Sequence, residues 1–310
     1  MSTHNHEIPI IDAHHHYWDP VRNDHPWLRD EPMISFRYGD YSAIRKAFMP
    51  SDYMRLAADF NVVNTVTMEG EYNEANLVAE SAWMSEVAAK HHAPAAHVAR
   101  AILHRVDAPD VIHDHSKFHI VRGIRHKPAA APTPDTVEHG TPGSMSDPNW
   151  QAGYAELHQN GFHFELQAPW WHVTELLRLI DRFPETPIVI NHAFMPVERS
   201  PEALEAWRSA IKLAASAPDV TMKISGIGIK GRAWALQDQL PIITACLDAF
   251  GPRRCIFASN FPVDGLVGSF ADIYGGFLSA TTDLTRDERL ALFHDNAIRV
   301  YRLDIPKHVT

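Results

Sequence analysis

Cysteine is almost absent from this chain: only Cys246 and Cys255 occur in 310 residues. Two thiols in so long a sequence cannot form a disulfide framework, and their places in a helical pattern and at a strand entrance mark them as buried thiols. Positive charge is also scarce, with Lys+Arg 28 against Asp+Glu 38 and a formal net charge of −10. That balance argues against a general affinity for nucleic acid or an anionic membrane, so any anion site has to be local. No apolar run approaches a membrane span, and the start, MSTHNHEIPI, lacks an apolar core of signal-peptide length. The expectation is a soluble cytoplasmic protein. With 45% hydrophobic and 21% charged residues, the chain can bury a large core, as one α/β barrel or as two ordinary domains.

The pattern decides between these. Apolar, β-branched runs fall at 8–12, 62–68, 95–102, 119–124, 162–166, 187–191, 219–224 and 254–259. Helical periodicity fills the gaps near 51–60, 74–90, 108–116, 148–159, 170–182, 201–216, 232–250 and 268–280, with two short helices after that. Asp147 before Pro148, Ser200 before Pro201, and Thr285 three residues ahead of Glu288 are helix-start signatures. Strict alternation without a composition shift predicts a (β/α)8 TIM barrel occupying 1–310 as one domain, rather than an open doubly wound sheet. Two stretches interrupt it. Residues 127–147, rich in Pro, Ala, Thr and Gly, form an insertion loop after the fourth strand and a candidate lid. Residues 21–48 form an excursion after the first strand, with Trp27, Phe36, Tyr38 and Tyr41 as aromatic cover for a ligand.

In such a barrel the active site lies at the carboxyl ends of the strands. The first strand there delivers Asp12, His14 and His16, the second Glu69 and Glu71, the third Arg100 and His104, and the fourth Arg125 and His126. The fifth offers Glu165 and Gln167, the sixth His192, the seventh Lys223 and Ser225, and the eighth Asn260 and then Asp264. Residues two apart on a strand share a side, so His14 and His16 would face the axis while His15 enters the wall. With His192 they would form three converging imidazoles, suited to a metal, a shared proton or a carbonyl. Arg125, His126 and Lys223 add positive charge, which points to an anionic small-molecule substrate. Arg125 would grip a carboxylate or instead pair with Glu69 or Glu165, and Lys223 would polarise a carbonyl or serve as a buried counter-ion. Trp18, Trp170, Trp171 and Phe194 suit a ring-shaped ligand, with Glu69 and Gln167 as further binding groups.

The motifs IDAHHHYWD, VRGIRH, VINH, MKISGIG and IFASNFPVD, in this order and spacing, resemble the amidohydrolase superfamily. The nearest likeness is to its amidohydrolase-related (amidohydrolase 2) group, which contains sugar-acid lactonases, pyrone dicarboxylate lactonase and metal-dependent decarboxylases. The resemblance spans essentially the whole chain. It implies a (β/α)8 barrel with His14 and His16 as the first-strand pair and His192 as the sixth-strand histidine. It also implies an aspartate ending the eighth strand, as metal ligand, activator of water, or both. There the chain departs: Ala258-Ser259-Asn260-Phe261-Pro262 stands where the group usually has G-S-D-x-P. An amide cannot abstract a proton at neutral pH and is the weaker ligand. Asp264, His192 and Glu69 are the candidates to replace it.

Because lactonases of this kind include members that work without metal, the expectation is no cofactor; otherwise one Zn²⁺ or Mn²⁺ would sit on His14, His16 and His192. The expected activity is hydrolysis of the lactone of a small anionic or polyhydroxylated carboxylic acid. Water, deprotonated by Asp264 or His192, would attack the carbonyl while His14, His16 and Lys223 stabilise the oxyanion. Two alternatives stand beside it: a metal-dependent decarboxylase or other C–C lyase, and a catalytically degenerate barrel that binds a small molecule. A homodimer is compatible with the fold, although no stripe of residues identifies an interface.

Overall fold

The computed structural model describes residues 8–305. Each apolar run forms a strand: β1 Ile10–His15, β2 Val62–Met68, β3 Ala96–Arg100, β4 Val121–His126, β5 His163–Leu166, β6 Ile188–Ile190, β7 Val220–Ile224 and β8 Cys255–Phe257. They pair in parallel in the order β1 to β8. Backbone bonds from Asn260 N to His14 O (2.7 Å) and from His16 N to Phe261 O (2.7 Å) then join the last strand's end to the first. The helices lie between successive strands, so the architecture is the expected (β/α)8 barrel. Among the described residues no helix is long and apolar enough to cross a membrane.

Local chemistry sets the helix starts. Asp147 accepts from Asn149 N, Ser200 from Ala203 N, and Thr285 forms a reciprocal capping box with Glu288. Cys246 and Cys255 are both free and buried, one in helix Leu236–Phe250 and the other in β8, as expected. Several elements are shorter or shifted relative to their sequence patterns, helix 51–60 ending at Leu56 and helix 232–250 starting at Leu236 among them, and two of these shifts bear on the site. β4 begins later than its apolar run because Val121 N closes a turn onto Phe118 O, so Arg125 and His126 lie inside the strand. The helical pattern at 170–182 opens as a 3-10 turn, Trp170–His172, before helix Val173–Arg182.

The first strand carries a feature its alternation did not reveal. Asp12 pairs with Thr65 but His15 with Thr67, so three steps on β1 oppose two on β2. This bulge reverses the parity of the strand. Ile11 and Ala13 pack in the inner cluster with Val66, Met68, Val98 and Ile256, and after the bulge His14 and His16 take over the inward side. Asp12 therefore turns outward. Its buried carboxyl accepts from Ser259 N (2.8 Å), Ser259 Oγ (2.5 Å) and Tyr53 OH (2.8 Å), tying β8 to β1 and to helix Pro50–Leu56. His15 also turns outward, its ring 4.5 Å from Tyr17 and 4.6 Å from Tyr53.

Removing the Asp12 carboxyl strands four buried donors at the barrel seam, counting His14 N at 3.4 Å. Asp12→Ala is expected to lose about 3 kcal/mol or more of stability, since a buried polar group left without its partner costs ~1–3 kcal/mol. Urea unfolding checks this, and an unchanged midpoint would contradict it.

Candidate active site

The strand ends enclose a cavity of about 660 Å³ whose wall includes His16, His192, Asn260, Arg125, Glu69 and Gln167. The ring centroid of His14 lies 5.3 Å from that of His16 and 4.7 Å from that of His192, so the structure brings the three imidazoles together. His14 sits beneath the wall, and neither of its buried ring nitrogens has a hydrogen-bond partner among the described residues. His16 Nδ1 lies 3.2 Å from the Met68 carbonyl. A carbonyl only accepts, so that nitrogen carries the proton and Nε2 keeps a lone pair. His192 Nδ1 lies 3.0 Å from Ser225 Oγ.

All three rings are held neutral at ordinary pH. Burial lowers the proton affinity of His16 most, with Arg125 and Lys127 adding to it, to a pKa of about 3. Burial likewise drives His14 well below the usual range, reinforced by Lys223 and His192, and drives His192 down with help from Arg37 and Arg125.

Backbone conformation aims these groups. Four consecutive residues, His192 to Met195, have φ of 54°, 52°, 59° and 55°, a left-handed turn at the end of β6. Each such non-glycine residue costs roughly 1–2 kcal/mol, so the surroundings have to hold it. Trp207 Nε1 donates to Ala193 O (2.8 Å), and Asn191 beside the turn donates to Glu165. Glu71 (φ 58°) and Asn260 (φ 56°) are left-handed at two other strand ends. Gly226 (φ +56°) packs so closely that a Cβ there would lie 2.4 Å from His192 Nδ1.

Several expected site residues are placed elsewhere. Lys223 is fully buried below the cavity, its Nζ 2.7 and 2.9 Å from the oxygens of Glu165, which also accepts from Tyr301 OH (2.7 Å). It serves as a counter-ion: burial lowers its pKa to about 8 against the pull of Glu165. Burial opposes ionisation of Glu165, but Lys223 and His163 hold it at about 2. Arg125 does not stand free for a ligand; its Nη1 bonds Glu69 Oε1 at 3.0 Å and its Nη2 bonds Gln167. Its Nε is buried and unpartnered.

His126 follows Arg125 on β4 and so faces the opposite side, accepting from Trp150 Nε1 at 2.7 Å away from the cavity. Trp18 lines the cavity and stacks on His16 at 5.6 Å, whereas Trp170 packs against Trp171 and is not on the wall. Asp264 is also off the wall, behind Asn260: its Oδ1 accepts from Asn260 Nδ2 (2.6 Å) and Tyr38 OH (3.0 Å). Burial raises its pKa to about 6, against Arg37, Asn260 and Tyr38.

The insertion loop is not the cover. Ala131 N donates to His172 Nε2 and its carbonyl accepts from Trp171, pinning the loop beside helix Val173–Arg182, and of residues 127–147 only Lys127 reaches the cavity. The excursion covers it instead, through Trp27, Phe36 and Arg37. Tyr38 and Tyr41 point elsewhere, to Asp264 and to the Trp27 carbonyl. Arg37 was missed because nothing in SFRYGD marks it in the sequence.

The candidate ligands of a metal ion are the imidazoles of His14, His16 and His192. Among the described residues no group of three or more His, Cys, Asp or Glu is arranged to hold one. Asn260 replaces a carboxylate, Asp264 is engaged by Asn260 and Tyr38, and the positive charges of Arg37, Arg125 and Lys223 already bear on the imidazoles.

Gly226→Ala should push the His192 ring off Ser225 and lower kcat/KM by about a hundredfold, the scale of a ~1 Å misplacement. Gly231→Ala, with φ +73° and open space around its Cβ, controls for backbone strain alone. Equal effects of the two changes in an activity assay would contradict the packing account.

Comparison with known proteins agrees with the fold. The amidohydrolase family model matches residues 11–303. "Uncharacterized protein y4mH" of Sinorhizobium fredii is 36% identical over 297 residues, 96% of this chain and 99% of its own length. An L-fucono-1,5-lactonase of Burkholderia ambifaria is 29% identical over 302 residues, 96% of each chain. Among solved structures, a Burkholderia multivorans amidohydrolase superposes with TM-scores of 0.76 with bound HEPES and 0.75 with bound zinc, at 23% identity over 95% of this chain and 99% of that one. The fold, the ordered strand-end histidines and a family match across nearly the full length lead to one conclusion: this chain belongs to the amidohydrolase family and is an enzyme.

Proposed function

We propose that the protein is a lactonase, hydrolysing the cyclic ester of a small sugar acid or related anionic carboxylic acid by attack of water at the carbonyl. The observation that carries this is the wall's pairing of neutral imidazoles with N–H donors, the second amide proton of Asn260 and the N–H groups of Arg125 Nη1 and Nη2 not spent on Glu69 and Gln167. Such a site can accept a proton from water and stabilise an oxyanion, which suffices for an ester carbonyl. The lactonase names among the relatives support the reading.

His16 is the general base. Its Nδ1 proton is committed to Met68, so its Nε2 accepts the proton of the attacking water. It therefore cannot donate to the oxyanion, a role that passes to Arg125 and Asn260. His192 and His14 orient the water and the carbonyl. Asp264 positions Asn260. The protonated base then returns its proton to the alkoxide as the ring opens. No step here uses a cofactor.

A pH-indicator assay across a panel of aldonic and carboxylated lactones tests the activity, and turnover should survive dialysis against a chelator. Loss of activity restored by Zn²⁺ or Mn²⁺ would contradict the cofactor-free route. His16→Ala should lower kcat at least about a hundredfold, the usual contribution of a general base, and His15→Ala should leave kcat nearly unchanged.

Asp264→Asn separates positioning from base chemistry. As pH rises through about 6, Asp264 ionises and becomes the stronger acceptor for Asn260, so kcat/KM should climb through that range and level off above it. The variant should lose that limb while keeping more than about a tenth of wild-type kcat at pH 8; a loss of a hundredfold would instead make Asp264 the base.

A further inference from the structure

The cations on the cavity wall are not equivalent. Arg100 lies 2.8 Å from Glu74 and 3.3 Å from Glu71, Arg125 is bonded to Glu69 at 3.0 Å, and Lys127 is bonded to Glu71. Arg37 lines the same cavity, yet among the described residues it forms no ion pair with any carboxylate. Its Nη2 donates to the Gly226 carbonyl, and its guanidinium carbon lies 4.8 Å from the centroid of the Tyr38 ring. One edge of the fork is thus fixed, and the remaining N–H groups are unspent.

The neighbours show where that charge acts. Arg37 is the largest electrostatic influence on His192, disfavouring its protonation, and it favours the ionised form of Asp264. Beside it, Phe36 and Trp27 stack on one another with centroids 5.5 Å apart and planes 12° from parallel, and both contribute apolar surface to the cavity wall. A fixed, half-buried guanidinium next to such a wall matches a ring that bears an ionised carboxylate, because the planar fork meets that group bidentately while the ring covers the aromatic surface.

We propose that Arg37 is the specificity residue of this site, pairing with a carboxylate carried by the lactone in addition to its ester carbonyl. This rests on the lactonase reading above. The preferred substrate class is then the lactone of a dicarboxylic acid rather than a neutral sugar lactone. The anchor comes from the excursion after β1, separate from the strand-end groups that handle the carbonyl.

The test compares a five-membered lactone bearing a ring carboxylate with the same lactone as its primary amide. Wild type should favour the carboxylate by at least about tenfold in kcat/KM, the scale of one charge-assisted hydrogen bond. Arg37→Gln should remove that preference through KM, lowering kcat/KM for the carboxylate at least about tenfold more than for the amide, and Arg37→Lys should restore part of it. Equal loss on both compounds would assign Arg37 to the carboxylate formed on ring opening, and no change on either would leave it without a binding role; both results overturn the proposal. Should wild type hydrolyse neither compound, the lactonase reading fails, and calorimetry with the intact carboxylate lactone, with its amide as control, decides on the anchor. Binding weakened about tenfold by Arg37→Gln sustains it, whereas equal binding, or none to wild type, refutes it.

Discussion

The site depends on one seam, where β8 returns to β1. There the backbone of His14 receives Asn260 N, His16 N reaches the Phe261 carbonyl, and the outward-facing Asp12 carboxyl collects Ser259 and Tyr53. The bulge in β1 lets one short strand do both jobs, sending Asp12 to the seam and His14 and His16 to the axis. Without it, Asp12 would share the side of the two histidines and the barrel would lose its buried tie. The same seam fixes Asn260 in its left-handed conformation against Asp264.

Charge is the second constraint. The barrel interior holds Lys223 and Glu165 as a buried pair, and Arg125 and Glu69 as another nearer the cavity. Each pair is sustained by further hydrogen bonds, from Tyr301 and Asn191 to Glu165 and from Arg125 to Gln167, which offset the cost of desolvating charges. Burial first, and these cations after it, keep the imidazoles between them unprotonated. In the proposed reaction, that neutrality makes the histidines acceptors, and stabilisation of the developing negative charge falls to the guanidinium and amide groups around them.

Much of this was legible in the sequence. The eight apolar runs and their intervening helices gave the barrel, and the period of two placed His14 and His16 together with His15 in the wall. Where reading failed, the cause was geometry that depends on partners. Applied to VRGIRH, the same period of two would have separated Arg125 from His126 once the strand was known to run to His126. The bulge that turns Asp12 outward appears only in its register with β2. The left-handed turn at His192 is carried by ordinary residues without a glycine to announce it. Residues 127–147 have the composition of a mobile lid, but contacts with Trp171 and His172 pin them. The less conspicuous excursion of 21–48 supplies the cover and Arg37.

The central claim is that the cavity imidazoles are neutral and that His16 presents a lone pair to it. ¹⁵N NMR of protein labelled at its 21 histidines, with the His16 resonances identified by their loss in His16→Gln, reads that state directly. The account predicts a neutral ring protonated at Nδ1 at pH 7, remaining so on acidification until the pH approaches about 3. An imidazolium near neutral pH, or a proton on Nε2, would contradict it.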